Sequence, residues 1–237
     1  MIPGIETTTS FVLVHGAWNG GWCWKRVAPL LRAAGYDVYT PTLTGLGERV
    51  HLATPEVGLD IHTQHIVHLL EFEELQGVVL VGHSFGGMTI SAVADRVPDR
   101  LQHLVYLDAV VPLAGESRFD SMDSQARATL EEQARVAGGG WRVPSPTVDD
   151  LPSEADNQWI TSKLTPQPLK TYQDKLQLTS AAAVALPRTY VYCTRSWMAP
   201  HADRARRAGW GYRELDSEHL CYATAPRQVA DLLISLV

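Results

Sequence analysis

The amino-acid sequence predicts an α/β fold, a mostly parallel sheet with helices on both faces and an inserted helical cap. Three observations carry that expectation. Short, nearly continuous apolar runs recur along the chain, as strands covered on both faces require. Helix-periodic stretches of roughly 10–15 residues separate them, the spacing of βαβ units. The rhythm breaks between Val111 and Leu186 and then resumes.

Each element has its own signal. Ser10 to His15 reads as the first strand, followed by the loop Gly16-Ala17-Trp18-Asn19-Gly20-Gly21. A helix from Trp22 to Ala34 follows, with Gly35 as its C-terminal cap. Tyr36 to Pro41 is a second strand, and Thr42 to Gly58 a loop. Asp60 is placed to cap a helix from Ile61 to Leu75. Gly77 to Val81 is a third strand, and the helix starting at Gly87 is stopped by Pro98. Leu101 to Asp108 is a fourth strand. The next stretch holds Pro112, Pro144, Pro146, Pro152, Pro166, Pro168 and the run Gly138-Gly139-Gly140, and reads as the cap. Strand pattern returns at Arg188 to Thr194, then a short helix at Ala202 to Ala208 and a last strand at Gly211 to Leu215. Thr224 and Pro226 suit the N-cap and first turn of a final helix. The expected division is a core of residues 1–111 and 187–237 around a cap of residues 112–186.

Bulk properties narrow the function classes. A chain of 237 residues with 45% hydrophobic and 19% charged residues is an ordinary globular protein with a sizeable core. The net charge of −6, without a Lys/Arg cluster, argues against nucleic acid and anionic membranes as partners. The closest basic run, Arg204-Ala205-Arg206-Arg207, suits a solvated helix face. No apolar run approaches the ~20 residues of a membrane span. The start, Met1 to Thr7, lacks signal-peptide character. Cys23, Cys193 and Cys221 are too few for a disulfide framework, so a cytoplasmic location is expected. A homodimer is admitted.

The chemistry concentrates at Gly82-His83-Ser84-Phe85-Gly86, which follows the third strand and precedes a helix. Strand, G-x-S-x-G and helix form a nucleophile elbow: the serine occupies a sharp, strained turn, and its flanking glycines avoid collision with neighbouring backbone. Serine needs a base, and that base needs an orienting group. Among nine histidines, His219 alone lies in the loop after the last strand, where such a base belongs. His83 reads as elbow packing and His15 as structural. His62, His65 and His68 recur every three residues, but with no completing ligand they read as a hydrated helix face, and no metal or organic cofactor is expected. The acid is the open member: Asp108, at the C-terminal end of the fourth strand, is preferred over Asp203 and Asp216. Backbone donors for an oxyanion are expected from Phe85 and Ala17, with Gly16 leaving room for substrate. Trp18, Trp141, Trp159 and Trp197 are candidate walls of an apolar pocket, although core packing accounts for tryptophans equally well.

Three stretches carry a family likeness: Val12 to Trp24, Thr42 to Gly47 and Gly82 to Gly87. They resemble the small α/β-hydrolases, and within them the bacterial pyrethroid-hydrolase-type esterases and the plant methylesterase and hydroxynitrile-lyase group. The resemblance covers most of the chain and is weakest in the cap. It implies an α/β-hydrolase fold and assigns the chemistry to Ser84, His219, Phe85 and Ala17. Two departures matter. The family's usual aspartate after the Tyr190–Thr194 strand has no clear match, and Asp108 is supported by analogy with haloalkane dehalogenases. Hydroxynitrile lyases of the group carry threonine at Gly16 and lysine at Leu220. The absence of that cation favours hydrolysis of a small to medium uncharged ester. The rival readings are a lyase on the same scaffold and a non-catalytic small-molecule-binding homologue.

Overall fold

A computed structural model describes residues 9–237 of the chain; the Met1–Thr7 segment lies outside the described residues. The elements run β1 (Ser10–Val14), α1 (Ala28–Ala33), β2 (Asp37–Tyr39), α2 (Leu59–Phe72), β3 (Val78–His83), α3 (Gly86–Arg96) and β4 (Leu101–Leu107). The segment that follows holds α4 (Ser124–Ala137), β5 (Arg142–Val143), α5 (Glu154–Thr161), β6 (Gln167–Pro168), α6 (Lys170–Gln173) and α7 (Ala181–Ala185). The chain then completes its sheet with β7 (Arg188–Cys193), α8 (Ala199–Arg207) and β8 (Gly211–Leu215), and ends in α9 (Cys221–Thr224) and α10 (Pro226–Ile234).

The main sheet has six strands in the order β2-β1-β3-β4-β7-β8, and every pairing is parallel. Register places Leu13 beside Val81, Val81 beside Val105 and Tyr106 beside Tyr190. Because side chains alternate along a strand, these runs feed two cores. Phe11, Leu13, Val79, Val81 and Val105 pack on one face with Leu31, Val229 and Leu233 of α1 and α10. Val12, Val14, Leu80 and Leu104 pack on the other with Ile66, Leu70, Ile90 and Ala205 of α2, α3 and α8. Each such fully buried aliphatic contributes roughly 1.5–3 kcal/mol. A third cluster, including Phe85, Met88, Phe119 and Tyr172, joins α3 to the inserted segment.

Local detail departs from the sequence reading in instructive ways. The expected Trp22–Ala34 helix divides into a 3₁₀ turn, Gly21–Arg26, and α1. Pro29 lies in the first turn of α1, where a missing N–H costs nothing. Gly35 does follow the helix end, at φ 94°. Helix α2 starts at Leu59, which puts Asp60 inside its first turn rather than at its cap. The capping acceptor is Asp174 Oδ2, which takes the Leu59 N–H at 2.9 Å. Thr224 ends α9 instead of capping α10, and its hydroxyl meets Ser217 Oγ at 2.8 Å.

His62 is fully buried and donates to Thr44 O, so it leaves the hydrated face expected of the three histidines, whereas His65 is half-buried and His68 exposed. Arg204 is likewise not simply solvated: it binds Glu116 and donates to Val111 O, tying α8 to the inserted segment. Among the described residues no helix is long and apolar enough to cross a membrane.

Candidate active site

Strand β3 delivers Ser84 into the left-handed region at φ 54°, a conformation that costs a non-glycine residue free energy. Its neighbours impose that turn. A Cβ at Gly82 would lie 2.8 Å from the Gly86 carbonyl, and one at Gly86 would lie 2.8 Å from Val14 O. The Ser84 carbonyl accepts the Val110 N–H at 2.9 Å, anchoring the elbow to the chain after β4. With the backbone so held, the hydroxyl projects beyond the C-terminal edge of the sheet.

The loop after β8 brings His219 to that hydroxyl. His219 Nε2 is 2.9 Å from Ser84 Oγ, and Nδ1 is 2.6 Å from Asp108 Oδ2. Asp108 has no solvent exposure and also sits in the left-handed region, at φ 43°. Its second oxygen, Oδ1, accepts the Cys193 N–H at 3.0 Å and the Ser196 hydroxyl at 2.9 Å. A buried carboxylate is tolerated only with such partners. Asp203 is exposed on α8, and Asp216 is exposed and paired with Arg195.

Two more histidines brace this geometry. His83 Nε2 donates to His219 O at 2.9 Å, and the two rings lie 4.7 Å apart. Burial, then the neighbouring His219, holds the His83 pKa well below the ordinary value, so the ring is a neutral donor. His15 donates from Nδ1 to Gly16 O and accepts the Leu43 N–H at Nε2, at 2.8 and 3.0 Å. Burial pulls its pKa to about 4, which the bond to Gly16 only partly opposes. His15 therefore clamps the loop after β1.

That loop carries Ala17, which together with Phe85 lines a cavity at Ser84. Among the described residues neither backbone N–H has an acceptor. Trp18, at φ 61°, is held by the inserted segment: its N–H meets Gln167 Oε1 at 3.0 Å and its indole donates to Val143 O. A Cβ at Gly16 would lie 2.9 Å from Ser84 Cβ.

Two cavities border the serine. One, of about 490 Å³, is walled by Leu151, Ile160, Leu164 and Leu220. The other, of about 500 Å³, is walled by Val110, Met122, Leu130, Tyr172 and Met198. Ser84, Ala17, Trp18 and Trp197 border both. The Trp197 ring lies 4.4 Å from that of His219. Trp141 and Trp159 border neither: the first lies against Arg142, and the second packs on Trp22 and Arg26. Sequence reasoning missed Ser196, Gln167 and Arg118, which lines the second cavity. Gln167 carried one usable signal, a lone amide between Pro166 and Pro168.

The chain's relatives agree with this architecture. The profile of the Alpha/beta hydrolase family matches residues 11–232. A carbendazim hydrolyzing esterase of Nocardioides sp. is 35% identical over 96% of this chain and 99% of its own length. A pyrethroid hydrolase of Sphingobium wenxiniae is 41% identical over a shorter stretch, 46% of this chain and 39% of that protein. Among solved structures, an extracellular alpha/beta-hydrolase of a Paenibacillus species superposes with TM-score 0.86 at 28% identity, over 96% of this chain and 98% of that one. The profile match, the full-length esterase relative and the shared sheet lead to one assignment: this chain belongs to the alpha/beta hydrolase family.

Proposed function

We propose that the protein is a serine carboxylesterase whose nucleophile, base and acid are Ser84, His219 and Asp108. Carboxylic ester hydrolysis is the reaction its esterase relatives support. The observation that carries the residue assignment is the unbroken line of contacts from Ser84 Oγ through both His219 nitrogens to Asp108 Oδ2.

The steps follow from the geometry. Ser84 Oγ attacks the ester carbonyl while His219 Nε2 takes its proton. The buried Asp108 carboxylate holds the Nδ1–H tautomer and stabilises the imidazolium that forms. The Ala17 and Phe85 amides, free of other acceptors, bind the carbonyl oxygen as it becomes an oxyanion. His219 then protonates the leaving alcohol, and the acyl-enzyme forms. Water activated by the same histidine attacks this ester, Ser84 leaves, and the acid is released. No step requires a metal or organic cofactor.

The paired cavities suit small to medium esters, with Trp18 and Trp197 beside the reacting carbonyl; Gly16, expected in the pocket, lines neither cavity and packs against Ser84 and His83. Leu220 places an apolar side chain, not a cation, next to His219 in the first cavity, which supports hydrolysis over cyanohydrin cleavage. Residues 112–186 act in this reading as the cap over the serine. Three buried free cysteines support a reducing, cytoplasmic location. Net charge disfavours nucleic acid as a partner, and a homodimer is testable by light scattering.

The deciding experiment is hydrolysis of p-nitrophenyl acetate and butyrate by the wild type and by folded Ser84→Ala. Turnover that disappears with the serine is expected, together with labelling of Ser84 by a fluorophosphonate. Turnover that survives the substitution would point to a lyase or another mechanism. No turnover in either protein would point to a binding role.

A further inference from the structure

The second cavity at Ser84 contains a cation that the ester mechanism leaves unused. Arg118 lines it in an otherwise largely apolar wall with Phe85, Met122, Tyr172 and Met198. A guanidinium has five N–H donors. Here one nitrogen, Nη1, donates to Ser121 Oγ at 3.0 Å. Among the described residues no carboxylate forms an ion pair with Arg118, whereas Arg26, Arg96 and Arg204 each pair with one and Arg195 with two. The carboxylate that lines the same cavity, Asp123, instead caps α4 by accepting the Ala126 N–H at 2.9 Å. Burial holds the Arg118 pKa below its ordinary value.

Arg118 is half-buried, and a partly desolvated charge without a counter-ion is costly, so proteins ordinarily pair such groups. A carboxylate is the partner whose two oxygens match the guanidinium fork. The charge pattern also gives a direction. The first cavity is bordered by Asp149, Asp150 and Glu218, with Arg195 paired to Glu218, so acid is in excess there. The second cavity sets Arg118 against the single carboxylate of Asp123, so an anionic group is repelled more strongly in the first cavity and meets an unpaired guanidinium in the second.

We infer that the cavity lined by Arg118 extends the substrate range to esters bearing a remote carboxylate, which Arg118 binds while Ser84 attacks the ester carbonyl. The inference rests on the ester-hydrolase reading and specifies one half of its site.

The test compares matched probes. The p-nitrophenyl ester of glutaric acid, set against that of pentanoic acid, places the carboxylate on the acyl side. The pair 4-acetoxybenzoate and phenyl acetate places it on the alcohol side. At least one acidic probe should match or exceed its neutral partner in kcat/KM, despite the net negative charge of the protein. Arg118→Gln should lower that acidic-to-neutral ratio by about 10- to 100-fold, the usual worth of a hydrogen-bonded charge. Arg118→Lys should give an intermediate ratio, and melting curves confirm that both variants fold.

Ratios unchanged by Arg118→Gln for both pairs would overturn the inference while leaving ester hydrolysis intact. Failure of the ester reading appears separately, as absence of Ser84-dependent turnover on every probe. In that event, glutarate and benzoate binding followed by calorimetry decides. A tenfold or greater loss in Arg118→Gln keeps the site, and equal binding removes it.

Discussion

Ser196 Oγ donates to Asp108 Oδ1 at 2.9 Å, the oxygen that does not face His219. Ser196 stands in the turn after β7, the place where the resemblance led one to seek an aspartate. This turn supplies donors to a carboxylate reached from β4: the Ser196 hydroxyl and, from the end of β7, the Cys193 N–H. Removing the hydroxyl should loosen the acid without removing it. Ser196→Ala should lower kcat by roughly 3- to 10-fold with KM close to wild type, in line with one lost hydrogen bond to a charge. Steady-state kinetics on p-nitrophenyl butyrate checks this, and an unchanged kcat would remove Ser196 from the positioning set.

The acid itself has a sharper test. Asp108→Asn should lower kcat by about a thousandfold or more, because an amide can stabilise neither the required tautomer nor the imidazolium. Asp203→Asn and Asp216→Asn should stay within about threefold of wild type, since exposed carboxylates away from the histidine interact weakly with it. A damaging Asp203→Asn beside a near-normal Asp108→Asn would reverse the assignment.

Two glycines should fail differently. A Cβ at Gly87 would stand 2.0 Å from the backbone oxygen of Val110, which has no side-chain freedom with which to yield. Gly87→Ala should therefore cost about 2–4 kcal/mol of stability, read by urea unfolding. At Gly16 the obstacle is Ser84 Cβ at 2.9 Å. Gly16→Ala should keep most of the stability and lose at least tenfold in kcat, because the nucleophile is displaced. Equal melting temperatures for Gly87→Ala and wild type would show that the elbow has slack.

Buried neutral histidines predict the acid limb of stability. Burial holds His15 at about 4, His62 at about 3 and His201 at about 4, against 6.5 for an exposed histidine. Between about pH 6.5 and 4 the unfolded chain binds protons that the native protein refuses. Their contribution to stability is thus complete above pH 6.5 and declines as the pH falls through that window. From pH 6.5 to 5 the loss is at most about 2 kcal/mol per histidine. Urea unfolding at pH 7.5, 6 and 5 should show a falling free energy, and a flat profile would contradict it.

The legible parts of this protein were those specified by neighbours in the chain. Strand β3, the elbow and α3 are contiguous, so Gly82, Ser84 and Gly86 could be understood from clashes within one turn. Apolar runs marked the strands because both faces of the sheet are covered, and the late position of His219 followed from element order. The misread details were those in which a distant side chain intervenes. Asp174 caps α2 in place of Asp60, and Thr44 O accepts a hydrogen bond from His62, a histidine expected to face water.

The acid shows the boundary most clearly. Asp108 and His219 are 111 residues apart, and nothing local distinguishes Asp108 from Asp203 or Asp216. Sheet order decides: β4 lies between β3 and β7, so its C-terminal end opens beneath the loop that carries His219. The same holds for Trp197 beside the histidine, Trp141 and Trp159 away from it, and Arg118 in the second cavity. By itself the sequence determined the fold and the turn that carries Ser84, because periodicity and turn sterics are local, and element order singled out His219 as the proposed base. Only the tertiary structure decided which carboxylate meets His219 and which tryptophans and cation line the cavities at Ser84, because side-chain proximity depends on the packing of elements far apart in the chain.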